Sequence, residues 1–448
     1  MSVRTMLQRR GPCLPLAYPK SLLHTSRIVL ENASTTSQKK AAFPASFVLP
    51  TAVPKISSMA SEESVHRRNI LGLLEALNLP QVEYAFAYGS GVFSQTAKSK
   101  STDGKPPMID LVIAVKDPAH WHAMNMKKNP DHYPWWTRWL GALTMRSVQN
   151  WGAGMWYVPY VKVKGDIVKY GIIDTNKLCD DLLYWNTLYA SGRMHKPTAR
   201  LFDATKDRVP RAEQANLASA LRTALLLLPE EFTEKELYYA VSSLSYMGDF
   251  RMSVPGGENQ NKIRNIVENQ QLWFRVMYSA LLTRLGFVSV TQHENTFYMK
   301  QDKSPAMRAV VAANLPQTLR MRIVKHFLSK PGLHPILAKL KDEDPEMLMP
   351  IRPSGFSKLG DTELTPEVLD KMLEDDRNSL PKKATSFWLT VVQQPSFEKV
   401  LKSEVSKIVS EPARKQSLKG LYTAGVGRSL RYLWSKLSKY RQGKKEQK

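Results

Sequence analysis

The chain has 448 residues, with 64 Lys and Arg against 40 Asp and Glu and a formal charge of +24, so two domains with tails and a polyanionic partner (nucleic acid, anionic lipid or nucleotide) are expected. Its two cysteines, Cys13 and Cys179, exclude a disulfide framework and a cysteine-based zinc site. No apolar run reaches the ~18 residues that span a bilayer; the longest, Leu217–Leu228, is broken by Arg222, so a soluble or peripheral protein is expected rather than a polytopic one.

The first thirty residues hold Arg4, Arg9, Arg10, Lys20 and Arg27 but no acid before Glu31. That basic, Ser/Thr-bearing and acid-poor composition predicts a mitochondrial transit peptide with a disordered leader over residues 1–61. Removing Met1–Ser61 leaves a charge of +17. A helix is expected over Glu62–Leu77, then a strand, Tyr84–Tyr88, that breaks into Gly89-Ser90-Gly91. Small residues at a strand-to-helix turn allow backbone N–H groups to approach a phosphate. Gly89, Ser90 and Gly91 are therefore candidate nucleotide-binding residues, Ser90 being otherwise a plain helix N-cap. After a polar loop, Ser94–Pro107, a second strand, Ile109–Val115, has one acid near its start, Asp110. A carboxylate beside a phosphate-binding turn could hold Mg²⁺, which takes hard oxygen ligands and keeps several waters. This is the layout of a nucleotidyltransferase site.

Asp117-Pro118 predicts a helix start that points His120 and His122 apart, which disfavours zinc. His122 and Asn125, with His132, are assigned to hydrogen bonding around the nucleotide or to packing. Aromatic and β-branched segments predict strands at Met155–Val163 and Ile167–Ile173, joined at Gly165-Asp166. Asp174, at the end of the second, is the first candidate for another metal ligand. An amphipathic helix is expected over Asn176–Ala190. Helical periods follow at Ala212–Leu228, Thr233–Ser245 and Asn261–Leu285, then a short hairpin within Phe287–Tyr298. The fold class expected is α+β: a nucleotidyltransferase-like mixed sheet with flanking helices over 62–205 and a helical winged-helix-like domain over 206–340. An acidic linker or insertion over 341–385 and a C-terminal region over 386–448 complete it.

In Gln416–Tyr440, Leu418, Leu421, Tyr422, Val426, Leu430, Leu433, Trp434, Leu437 and Tyr440 follow helical spacing and are flanked by Lys and Arg, including Lys419. A basic amphipathic helix with Trp and Tyr has the composition of an interfacial membrane helix.

Further segments complete an ordered set: Gly152-Ala153-Gly154, Lys169-Tyr170-Gly171, Trp185–Pro197, Tyr246–Met252, Gly257-Glu258-Asn259 and Lys262. Together with the glycine turn and the Asp110 strand, they closely resemble the mitochondrial phosphatidate cytidylyltransferase family. These are peripheral CDP-diacylglycerol synthases, also described as translocator assembly and maintenance proteins. The resemblance runs from about Val82 to Leu282 and returns at Ile408–Lys439. It implies transfer of CMP from CTP to phosphatidate, with Mg²⁺ as cofactor, in cardiolipin and phosphatidylglycerol synthesis. It also implies a peripheral position on the anionic matrix face of the inner mitochondrial membrane, reached through the C-terminal helix, and no nucleic-acid partner. Nucleotidyl transfer spreads negative charge over the α-phosphate and the leaving pyrophosphate, so cations beyond the metal are needed. Within the motif segments Lys169 and Lys196 are assigned catalytic roles beside Asp110, and Arg193, Arg251, Glu258 and Lys262 phosphate or lipid binding. The single acid departs from the wider nucleotidyltransferase pattern of two alternating carboxylates. Two rival functions stay open at this point: an RNA nucleotidyltransferase, in which the aromatic Tyr133–Trp139 segment could stack bases, and a non-catalytic assembly factor for protein translocases.

Overall fold

Tyr84–Tyr88 (β1) and Ile109–Val115 (β2) pair antiparallel and form the centre of a five-stranded sheet. Both are nearly continuous apolar runs, as strands covered on two faces must be. The computed structural model describes residues 69–93, 108–139, 141–252, 261–294, 296–343 and 386–424. The expected leader, the loop at 94–107, the linker and residues 425–448 lie outside them.

The helix ahead of β1 (α1, described over 69–76) is followed by β1 and β2, then α2 (Pro118–Lys128) and α3 (Gly141–Asn150). Asp117 caps α2, accepting from Ala119 and His120 N–H, with Pro118 in the first turn as expected. Next come β3 (Met155–Val163) and β4 (Asp166–Asp174). Their connection is one residue earlier than predicted: Lys164 and Gly165, with φ of 50° and 90°, form the two-residue loop. Positive φ at both positions matches the right-handed twist of the flanking strands. β4 leads into α4 (Thr175–Tyr184), and β5 (Thr198–Asp203), which the sequence pattern did not reveal, closes the sheet beside β1. The order is β3-β4-β2-β1-β5, mixed because β2 and β4 run parallel.

Alternation divides the sheet into two faces. One bears Ala85, Leu111, Ile113, Trp156, Tyr170 and Ile172 and is covered by α1, α2 and α3 through Leu73, Leu74, Trp121 and Met145. The other bears Phe86, Val112, Met155 and Ile173, covered by Leu178 and Leu182 of α4.

The second face is continuous with the core of the rest of the chain. There α5 (Arg208–Leu227), β6 (Glu231–Thr233), α6 (Glu234–Ser243) and α7 (Lys262–Leu285) precede the hairpin β7 (Val288–His293) and β8 (Thr296–Gln301). β6 joins the hairpin to give the order β6-β8-β7. Thr233 and Glu236 cap α6 reciprocally. Then follow α8 (Pro305–Ala313), α9 (Gln317–Leu328), α10 (His334–Glu343), α11 (Ser386–Val392) and α12 (Phe397–Ala424). The architecture is α+β, a five-stranded mixed sheet with flanking helices, as expected. Among the described residues no helix is long and apolar enough to cross a membrane.

α12 returns to the first sheet. Gln416 Nε2 donates to Met155 O at 2.9 Å, and Lys419 Nζ donates to Gln149 O and Trp151 O at 2.8 and 2.6 Å. Lys419, expected to flank a membrane-facing stripe, is instead buried, and its ammonium supplements the carbonyls at the end of α3. Leu418 faces outward. The remainder of the expected amphipathic helix lies outside the described residues.

Candidate active site

Strand register assembles the first half of the site. Tyr88 stands opposite Asp110 on β2, and Asp110 opposite Lys169 on β4. Paired positions share a face, and Lys169 Nζ donates to Asp110 Oδ1 at 2.9 Å, the pair being partly exposed. Lys169 also lies 4.7 Å from the centre of the Tyr157 ring. Gly89, at φ +87°, turns the chain over the carboxylate, and a Cβ there would sit 3.7 Å from Asp110 Oδ2. At Gly91 a Cβ would meet Met108 O at 2.4 Å, so only glycine permits this approach to β2. Val92 and Phe93 N–H close the turn on Gly89 O, and Ser90 is exposed on it. Ser90 thus lies on the turn that passes over the carboxylate; whether a helix follows lies outside the described residues.

The second half comes from the loop after α4. The helix predicted to reach Ala190 ends at Tyr184, with Trp185 and Leu188 left-handed at φ 57° and 52°. The reason is Asp181. Its Oδ1 accepts from the Thr187 and Leu188 N–H groups and the Thr187 hydroxyl, and its Oδ2 from the Ala190 and Ser191 N–H groups and the Ser191 hydroxyl, all at 2.7–3.1 Å. Asn216 Oδ1 accepts from Trp185 Nε1 and His195 Nε2, and its amide donates to Ser191 O. Burial and the neighbouring Lys196 push His195 down to about 3, so its ring is neutral.

This held loop presents Arg193 and Lys196. The Arg193 guanidinium lies 3.9 Å over the Tyr189 ring and 5.5 Å from that of Tyr88, and its Nε–H is buried with no acceptor among the described residues. Lys196 donates to Gly192 O and to Ser245 Oγ. Lys196 and Lys262 flank one ring, Tyr246, at 5.0 and 5.7 Å. Arg251 forks Asp249, with Nη2 to Oδ2 at 2.6 Å and Nε to Oδ1 at 3.0 Å. Burial, then the Arg193 and Lys262 charges, hold the Lys196 ammonium far below its ordinary value. Although burial pushes the Tyr189 phenol up, the cations Arg193, Arg251 and Lys169 bring it below its ordinary value. Among the described residues, five cations and two carboxylates, Asp110 and Asp249, thus meet on one side of the sheet among tyrosine rings. A buried excess of positive charge is costly until an anion enters.

Three expectations need correction or fall outside. His122 and Asn125 lie on the opposite face from Asp110. His122 joins Tyr133 OH at 2.7 Å and Gln149 Oε1 at 2.8 Å, while Asn125 donates to the Tyr133 and Tyr170 hydroxyls. The sheet separates both from the cation cluster, so packing, the other alternative, is what they do. Burial pushes His122 down to about 4. Asp174 pairs with Val115 at the far end of β2, five residues from Asp110, about 16 Å along the strand. It caps α4 through Asn176 and Lys177 N–H and shares no metal with Asp110. Glu258 lies outside the described residues. Asp181, Asp249 and the tyrosines Tyr88, Tyr157, Tyr189 and Tyr246 were given no role from sequence. Tyr189, Tyr246 and Asp249 lie inside motif segments, which was a usable signal; Asp181 reads in sequence as an exposed acid on a helix.

The sequence model of the family described as "Phosphatidate cytidylyltransferase, mitochondrial" matches residues 70–439. Curated proteins of that name are similar over most of their length. The rat protein (Rattus norvegicus) is 36% identical over 361 residues, covering 80% of this chain and 90% of its own. The zebrafish protein (Danio rerio) is 34% identical over 360 residues, covering 80% and 90%, and that of Schizosaccharomyces pombe 31% over 373 residues, covering 83% and 84%. The match takes in both halves of the site, from the Gly89 turn to Lys262, and runs through α12. The chain belongs to the mitochondrial phosphatidate cytidylyltransferase family.

Proposed function

We propose that the protein transfers CMP from CTP to phosphatidate, giving CDP-diacylglycerol and pyrophosphate, at the cation cluster beside Asp110. The observation that supports this site is the convergence of Lys169, Arg193, Lys196, Arg251 and Lys262 on a glycine turn and a carboxylate. A triphosphate and a phosphate monoester together supply the anions that such a cluster lacks. A phosphatidate oxygen attacks the α-phosphorus as the bond from that phosphorus to the β-phosphate oxygen breaks, and pyrophosphate leaves. The attacking phosphate is already largely ionised near neutral pH, so no strong general base is needed. Gly89, Ser90 and Gly91 cradle the triphosphate. Lys169 and Lys196 draw off charge that develops at the α-phosphate and the leaving group. Arg193, Arg251 and Lys262 hold the lipid phosphate.

Mg²⁺ fits this donor set. Asp110 Oδ1 is taken by Lys169 while Oδ2 faces the glycine turn, and one carboxylate suffices for an ion that takes its other ligands from phosphates and water. Asp110 would hold it, and when bound it would neutralise the triphosphate.

The order α5-β6-α6-α7-β7-β8 supports a winged-helix-like second unit, and the mixed sheet with its turn and acid supports a nucleotidyltransferase-like first one. The family name supports mitochondrial residence. A peripheral site on the matrix face of the inner membrane, reached through the basic C-terminal segment, follows from the lipid substrate and the charge of that segment. Incubation with each of the four ribonucleoside triphosphates and phosphatidate tests the reading. CDP-diacylglycerol should form with CTP alone; no lipid product with any nucleotide would refute it.

A further inference from the structure

Three tryptophans in one stretch of the chain stand out of the protein. Trp135 and Trp139, at the ends of a single 3-10 segment, are 73% and 85% exposed, and Trp151, just beyond α3, is 42% exposed. Such large apolar rings usually bury most of their area. They flank α3, which packs through Met145 and Gln149 on the face of the sheet opposite Asp110, so the reaction does not use them. α3 is about 15 Å long, with tryptophans at both ends.

The end of α12 meets the same region. Lys419 bonds the Trp151 carbonyl, and the preceding residue, Leu418, is 53% exposed. Cations gather here: Arg146 is exposed, Lys177 Nζ reaches Asn150 Oδ1, and Lys415 lies against Gly152. From this point the chain continues into 425–448, which holds eight Lys and Arg, one acid, Trp434 and Tyr440. In the other direction α12 reaches Ser406, which packs on Gly248 beside the Asp249–Arg251 pair, about 20 Å away. One helix therefore joins the tryptophan surface to the cation cluster.

We propose that Trp135 and Trp139 insert into the headgroup layer of an anionic phospholipid bilayer, forming with Trp151 and the end of α12 a membrane contact additional to the basic tail. Indole rings favour that depth, where an apolar ring and a polar N–H are both accommodated. The adjoining cations complement an anionic surface. The choice of a bilayer as occupant rests on the proposed lipid substrate.

The test uses the full chain and the double variant Trp135→Ala, Trp139→Ala, whose positions are too exposed to endanger folding. Binding is measured to vesicles of phosphatidylcholine with one third phosphatidylglycerol, an anionic lipid that is not the substrate. The variant should bind these about tenfold or more weakly. Brominated phosphatidylcholine should quench wild-type tryptophan emission more than that of the variant. Turnover of CTP with short-chain, water-soluble phosphatidate should stay within about twofold. Equal vesicle affinity, or equal quenching, overturns the proposal. So does a wild-type dimer that the variant loses while vesicle binding is unchanged, since the tryptophans would then be a contact between copies. If neither protein uses phosphatidate, the proposed function fails, yet the vesicle comparison still decides the membrane contact.

Discussion

Among the described residues no carboxylate holds Lys196: Gly192 O and Ser245 Oγ accept from it, and Arg193 and Lys262 repel it. A bound polyphosphate reverses that balance and raises its pKa. At pH above the free-enzyme pKa of Lys196, binding of CTP should therefore take up a proton, and CTP affinity should weaken as pH rises through that range. Calorimetry in two buffers of different ionisation enthalpy measures the uptake; proton release, or the same uptake in Lys196→Met, would contradict the assignment. His122 gives the opposite kind of prediction. Its folded pKa, about 4, lies below its ordinary 6.5, so the unfolded chain binds the extra proton and stability is lost as pH falls from 6.5 towards 4. His122→Ala should cost about 2–4 kcal/mol through the lost packing and the orphaned partners and should flatten that acid slope. The KM for CTP of the folded variant should not change. A raised KM with unaltered stability would restore His122 to the nucleotide site.

At the scale of an element, the loop after α4 owes its shape to a single carboxylate. Asp181→Asn replaces an acceptor oxygen with an NH₂ that faces N–H groups, so the loop loses several charge-assisted bonds at once. The expected cost is at least about 3 kcal/mol, read by denaturant titration, with kcat/KM for CTP falling as Arg193 and Lys196 lose their positions. Stability equal to wild type would show that the loop does not depend on Asp181. The same loop marks the limit of sequence reading. The 3.6-residue period continues past Tyr184, but tertiary capture by Asp181 stops the helix there. β1, β2, β3 and β4 were legible because their apolar, aromatic and β-branched runs reflect faces that are covered. β5 was not, since Thr198–Asp203 sits at an edge and mixes Arg and Asp with apolar residues.

At the scale of the molecule, the sequence motifs contained the cations that the fold brings together but could not say which residues share a face. Lys169 joins Asp110 through register, whereas His122 and Asp174 are excluded by the sheet itself and by strand length. The tail also changes meaning. Gln416 and Lys419 bind Met155, Gln149 and Trp151, so a truncation that spares the fold must begin after Ala424. Removing residues 425–448 should weaken binding to anionic vesicles and lower turnover of vesicle-embedded phosphatidate, with little effect on a soluble short-chain substrate. Equal loss on both substrates would place the tail in the catalytic unit. The central claim, that nucleotidyl transfer occurs where the glycine turn, Asp110 and the cations meet, is tested most directly by Asp110→Asn. Pyrophosphate release from CTP with soluble phosphatidate and Mg²⁺ should fall at least about a thousandfold while the melting curve stays close to wild type. Retention of more than about a tenth of the activity would contradict the account.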